Sequence, residues 1–295
     1  MMVRELVSSV RLGTVAPLLA AVLVATDASG QTLAPGSEAD TPSGWTAPRT
    51  AWGAPDLRGV WDYRTMTPLQ RPVEFAGKAV MTDEEAAAFQ SRTLEEQADY
   101  DRSPSVHAKW WLDYGKELTA DKRTSLIVDP PDGRIPPRTD AARERSAASA
   151  ERRRAHPADA AEYRSLGERC LTFGTPRLPG AYNNNYLLLQ TPDHVVIHSE
   201  MIHDTRVVPL DEGSTLSSAI PQLHGEARGW WDGDTLVVES ANFSPKGAFQ
   251  GATERLRLVE RFTRVGPDTI QYEVTADDPA TWTSAWTTMF PMTKT

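Results

Sequence analysis

Ionisable and polar side chains crowd most closely between His194 and Arg206. In a straight strand His198, Glu200, Ile202, Asp204 and Arg206 share one face, while Ser199, Met201, His203 and Thr205 share the other. Val195, Val196 and Ile197 before the cluster, with Val207 and Val208 after it, mark the stretch as more than a solvated loop. Two short strands meet near Met201, where a bend or bulge would mix the two sets. His203 with Asp204 or Glu200 has the makings of an acid–base pair. A carboxylate orients an imidazole and raises its basicity, and histidine titrates near neutral pH. The competing reading is an ion-pair network in which Arg206 neutralises Asp204 or Glu200. Glu200-x-x-His203 with His198 has ligand types that zinc accepts. Only His198 and Glu200 keep the two-residue spacing of strand ligands, however, and the helical His-Glu-x-x-His motif is absent. No metal site is assigned.

Glu260 interrupts an apolar strand face made by Leu256, Leu258 and Phe262. A carboxylate in such a wall has its pKa raised by desolvation and can act as a general acid. It can equally pair with an arginine across the sheet, such as Arg206 or Arg228. Asn183-Asn184-Asn185 sits between Tyr182 and Tyr186, so Tyr182, Asn184, Asn185 and Tyr186 offer either a turn into a strand or a polar rim of amides around a ligand. His224, next to Gly225, is a further candidate on a connecting segment. Nine tryptophans, among them Trp110-Trp111 and Trp230-Trp231, serve core packing or line a cavity for a flat ligand. The candidate catalytic residues are therefore His203, Asp204, Glu200 and Glu260. His198, Arg206, Tyr182, Asn184, Asn185, Tyr186, His224 and Trp230 are the candidate ligand contacts.

No phosphate loop, dinucleotide turn, Gly-x-Ser-x-Gly elbow, paired-cysteine spacing or haem attachment pair occurs in the chain. Nucleotide-dependent and cysteine-nucleophile chemistry are disfavoured, and no cofactor is implied.

The elements that must position these residues are mostly strands. Leu57–Tyr63 and Ser125–Val128 read as short strands, the second stopped by Asp129-Pro130-Pro131-Asp132-Gly133. Thr82 with Glu85 three residues on forms a capping box for a helix through Ala98. Residues 139–165, rich in Ala, Arg and Glu, read as a solvated helical insertion, a helix pair interrupted by Pro157. Beyond it, Tyr186–Gln190 with Val195–Glu200, Glu226–Trp231 with Thr235–Ser240, and Leu256–Val265 with Thr269–Ala276 read as three hairpins. Further strands are expected at His203–Leu210 and Ser284–Met292. Ile270, Tyr272, Val274 and Ala276 alternate with polar residues, as in a sheet buried on one side. The expected fold is mainly β with helical insertions. It is an antiparallel meander forming a lipocalin-like closed or partly open barrel.

The chain has 295 residues, with 40 acidic against 31 Lys and Arg and a formal net charge of -9. That surface repels phosphate backbones and anionic headgroups, so nucleic acid is not an expected partner. Arg4 and Arg11 flank a positive region, and the apolar run from Val15 to Val24 is shorter than the ~20 residues a spanning helix needs. Ala28, Ser29 and Gly30 then supply a cleavage site. Residues 1–30 are read as a signal peptide, 31–55 as a disordered lead-in and 56–295 as a single β-rich domain. The mature protein is expected in the periplasm or secreted, without stable membrane insertion. With Cys170 as its one cysteine, the chain has no internal disulfide.

Gly59-Val60-Trp61, on the first strand ahead of the meander, resembles the Gly-x-Trp that opens lipocalin-type barrels, where the tryptophan plugs the barrel base. A second resemblance is carried by Arg123–Arg134 (Arg-Thr-Ser-Leu-Ile-Val-Asp-Pro-Pro-Asp-Gly-Arg), Glu168–Gly174, Asn183–Tyr186, Glu200–Asp204 and Trp231–Glu239. Over most of residues 56–295 the chain is similar to an uncharacterised family of exported bacterial proteins, and that resemblance implies no activity. Members usually continue past the position of Thr295 into a segment with a second cysteine. The sequence given stops at Thr295, so the resemblance leaves open a disulfide partner for Cys170 and the closing strand.

The functions to weigh are three. The first is an exported lipocalin-like protein holding a small, partly apolar organic ligand. The second is a cofactor-independent hydrolase, lyase or isomerase built on a histidine and a carboxylate. The third is a structural or interaction protein whose ionic row only stabilises the sheet.

Overall fold

Period-two alternation governs the second half of the chain, and the strands it builds enclose one interior. The computed structural model describes residues 45–102, 112–157, 159–210, 216–217, 219–246 and 249–295. The signal peptide expected over 1–30, most of the lead-in over 31–55 and the Trp110-Trp111 pair lie outside the described residues. Among the described residues no helix is long and apolar enough to cross a membrane.

Among the described residues ten strands form one sheet: β1 (Gly59–Asp62), β2 (Ile127–Asp129), β3 (Asn185–Gln190), β4 (His194–Ser199), β5 (Thr205–Pro209), β6 (Glu226–Asp232), β7 (Thr235–Ala241), β8 (Arg257–Gly266), β9 (Thr269–Asp277) and β10 (Trp286–Lys294). Their order is β5-β4-β3-β1-β10-β9-β8-β7-β6, every pairing antiparallel, with β2 on β10 as an extra rung. Two meanders, β3–β5 and β6–β10, are thus joined through β1. The two end strands meet at Gly229, where an added Cβ would lie 2.8 Å from Leu210 Cδ2 and 3.0 Å from Val208 Cγ1. Side-chain packing rather than a ladder closes this seam, so the barrel is nearly closed.

Helix α1 (Asp83–Arg102) starts at the expected capping box. The Thr82 hydroxyl accepts from the Glu85 N–H at 3.2 Å, and the Glu85 carboxylate accepts from the Thr82 N–H at 2.8 Å. Helix α2 (Asp140–Ala155) is capped by Thr139, which accepts from the Ala142 N–H at 3.1 Å. The stretch read as a helix pair holds this one helix and then a 3-10 turn at Ala161–Tyr163. The fold is mainly β, an antiparallel meander nearly closed into a barrel with two inserted helices.

Leu258, Phe262, Ile270, Tyr272, Val274 and Ala276 are fully buried, as the alternation requires. Across the middle of the barrel the rings of Tyr63, Tyr186, Tyr272, Phe262 and Phe290 touch, with Phe262 and Tyr272 centroids 4.5 Å apart and Tyr63 and Tyr186 at 5.0 Å. Trp61 is fully buried and its indole N–H donates to the Leu57 carbonyl at 2.8 Å. The Arg264 guanidinium lies 5.6 Å from its ring and donates to the Asp56 carbonyl at 2.6 Å. Gln190 ties the same segment down, accepting from the Leu57 N–H and donating to the Pro55 carbonyl. Residues 45–55, assigned to the lead-in from composition, carry a bridge between Arg49 and Pro55 and a buried Ala47.

Candidate functional site

The β4–β5 hairpin decides which side chains of the polar cluster reach the interior. A 3-10 turn, Met201–His203, separates the strands, with Ile202 and His203 at φ of 55° and 48°. Positive φ is uncommon for a β-branched residue. The turn reverses the chain so that the Ser199 N–H donates to the Asp204 carbonyl at 2.8 Å and Ile197 pairs with Arg206. Ser199, Asp204 and Arg206 are buried, whereas Glu200, His203 and Thr205 are exposed. The straight row expected from alternation is therefore broken by the bend near Met201.

Inside the barrel Arg206 meets Glu260 in a two-pronged ion pair, Nη1 to Oε2 at 2.5 Å and Nη2 to Oε1 at 2.8 Å. Of the two arginines that could have paired with Glu260, Arg206 does so. The Tyr272 hydroxyl also donates to Glu260 Oε1. Glu260 is fully buried and Arg206 nearly so. Isolated ions there would cost several kcal/mol each, so the bidentate geometry and the third hydrogen bond are what make the site tolerable. Burial alone would lower the Arg206 pKa, but the Glu260 charge and hydrogen bonds overcome it and the pKa rises. Burial first, and then the Glu260 charge, pushes the Tyr272 hydroxyl well above its ordinary value. Burial also pushes Tyr186 up to about 12. Both phenols are neutral donors at pH 7.

A segment preceding β3 extends this network. The Arg177 backbone N–H donates to the Tyr186 hydroxyl oxygen at 2.7 Å, and the Thr172 hydroxyl donates to Asp204 Oδ2 at 2.7 Å. His224 comes to the other Asp204 oxygen, with Nε2 at 3.6 Å from Oδ1, beyond hydrogen-bond reach. Gly225 sets its position: φ is +72°, and an added Cβ would lie 2.6 Å from the Phe243 ring. The His224 pKa is lowered by burial and by the Arg206 charge, against the pull of Asp204. The imidazole is thus neutral at pH 7.

Arg206, Glu260, Tyr186, Asp204 and His224 are the expected site residues brought together. His203 has no side-chain partner among the described residues and does not pair with Asp204, because the positive φ of its turn aims it at solvent. Glu200 accepts from the Asn185 side chain at 2.8 Å, and His198 Nδ1 sits 2.8 Å from the Thr205 hydroxyl, both contacts lying on the outer face. Asn184 is buried but clamps a loop, bonding to both polar groups of the Gly180 backbone and to the Asp113 carbonyl. Tyr182 is half-buried, and Trp230 is exposed on the outer face of β6. No three metal-ligating side chains come together among the described residues.

Several site residues were not anticipated. Thr172 and Arg177 belong to connections with no periodic signal, whereas Tyr63 ends the strand expected over Leu57–Tyr63 and continues the buried row of Leu57 and Trp61. Ser199 and Ser240 did carry one, since they extend the inward rows Val195, Ile197 and Leu236, Val238. Among the buried atoms without a hydrogen-bond partner in the described residues are Ser199 Oγ, Ser240 Oγ, Trp286 Nε1, His224 Nδ1, Asn185 Oδ1 and Arg177 Nε. More than nine-tenths of such groups in native proteins are paired, with protein, water or ligand.

No protein-family model, no curated protein and no solved structure matches this chain.

Proposed function

We propose that the protein is an exported, lipocalin-like binder of a small, partly apolar organic molecule held within the barrel. The observation that carries the proposal is the set of unpartnered polar atoms around an otherwise aromatic and aliphatic interior. Binding sites for small molecules combine these features: apolar walls and a few placed polar groups. Arg206 and Glu260 satisfy one another, so they contribute shape and rigidity more than a free charge. The unpartnered serines and the Trp286 indole N–H give the ligand its orientation.

Saturable binding of the neutral fluorescent probe N-phenyl-1-naphthylamine, seen as enhanced emission, is the expected result. Ser240→Phe, which fills the interior beside Leu258, should abolish that binding while the β circular dichroism persists. Emission rising linearly with probe, or binding untouched by Ser240→Phe, would overturn the proposal.

One observation favours a second reading, a cofactor-independent hydrolase, lyase or isomerase. His224 is held neutral by burial with a carboxylate 3.6 Å away, which suits a general base better than the exposed His203. In that case His224→Gln removes turnover and spares probe binding.

A further inference from the structure

The chain carries 40 acidic residues against 31 basic ones, so an arginine without an acid is notable when it is half-buried. Arg177 is such a residue. Among the described residues no carboxylate pairs with its guanidinium, and its Nε is buried without a hydrogen-bond partner. The guanidinium lies 5.2 Å from the Phe173 ring, which covers one of its faces, and the side chain also donates to the Tyr63 hydroxyl oxygen, so the rest of its fork is what remains for binding.

The neighbouring Tyr186 hydroxyl is a donor too. The Tyr186 hydroxyl oxygen already accepts from the Arg177 backbone N–H at 2.7 Å, so its own proton is directed elsewhere. A ligand satisfying these atoms must present acceptors. Charge narrows the class. Arg206 is neutralised by Glu260, so Arg177 is the unpaired cation beside Tyr186. One cation matches a monoanion; a phosphate dianion would leave a charge uncompensated in a shielded site. A planar fork of N–H groups fits a carboxylate edge-on.

We propose that Arg177, together with the Tyr186 hydroxyl, receives the carboxylate of the ligand, so that the molecule bound is a small organic acid with an apolar body. This rests on the barrel being a ligand-binding site, as argued above.

The experiment displaces N-phenyl-1-naphthylamine from the full chain with 1-naphthoate, its neutral isostere 1-naphthamide, and 1-naphthyl phosphate. Naphthoate is expected to compete about tenfold or more better than naphthamide. Arg177→Gln should erase that preference, weakening naphthoate far more than naphthamide or the dye. Arg177→Lys keeps the charge but loses the fork; it should retain only part of the preference, and it decides the matter if the Gln variant does not fold. Equal competition by naphthoate and naphthamide, or a preference that survives Arg177→Gln, overturns the assignment. So does stronger competition by the phosphate. If the dye binds but no acid preference exists, only this inference fails. If the dye does not bind at all, the barrel reading fails with it.

Discussion

Arg206 and Glu260 lie 54 positions apart in the chain and meet inside the barrel through two parallel hydrogen bonds, neither reaching solvent. The pair links β5, next to the seam, with β8 on the opposite meander, and Tyr272 on β9 completes it. Its desolvation cost is met by geometry rather than by water, so each partner is dangerous without the other.

Glu260→Ala leaves the Arg206 charge buried and unpaired. It should destabilise the protein by about 3–5 kcal/mol in urea unfolding. The double replacement of Arg206 and Glu260 by methionine should cost less than that single change, since no orphan charge remains. A double mutant as unstable as the sum of its singles would rule out this account. By contrast, Glu239→Ala breaks the half-exposed pair with Arg257 and should cost ~1 kcal/mol or less.

His224 makes stability depend on pH in a definite direction. Its pKa is lowered in the folded state from an ordinary value of 6.5, so the unfolded chain binds the proton more readily. Stability is therefore complete above about pH 6.5 and declines as pH falls from there through the lowered folded value. Thermal midpoints measured between pH 7.5 and pH 5 should fall more steeply for the native sequence than for His224→Gln. Parallel curves would contradict the assignment.

Gly229→Val tests the seam. The new side chain would collide with Val208 and Leu210, forcing β5 and β6 apart. A loss of about 1–3 kcal/mol is expected, with faster amide exchange confined to these two strands. Gly229→Ala should cost less, because the Leu210 methyl is the far end of a flexible side chain.

Trp61→Ala empties a fully buried site and removes both the Leu57 hydrogen bond and the partner of Arg264. About 3–5 kcal/mol is the expected cost in denaturant unfolding. Trp61→Phe should lose much less, as it retains a ring under the guanidinium.

The strands were legible because alternation is a local property. Ile270 to Ala276 announce an inward row without reference to any other part of the chain, and Thr82 with Glu85 announce a helix start by spacing alone. Glu260 stood out for the same reason, a carboxylate where the period called for an apolar residue. His203 misled because its neighbours suggested a continuous strand, whereas the positive φ at Ile202 and His203 turns the chain there. Arg177 and Thr172 lie in aperiodic connections, where no spacing rule says which way a side chain points.

The amino-acid sequence by itself determined the β class, the hairpin succession and which face of each strand is inward, since these follow from side-chain period and turn chemistry over a few residues. Only the tertiary structure decided that Glu260 meets Arg206 rather than Arg228, and that Asp204 faces His224 rather than His203. It also decided that Arg177 stands against Tyr186. Those contacts depend on strand register and on how far the barrel closes, which are set by the packing of all its strands at once and by no segment alone.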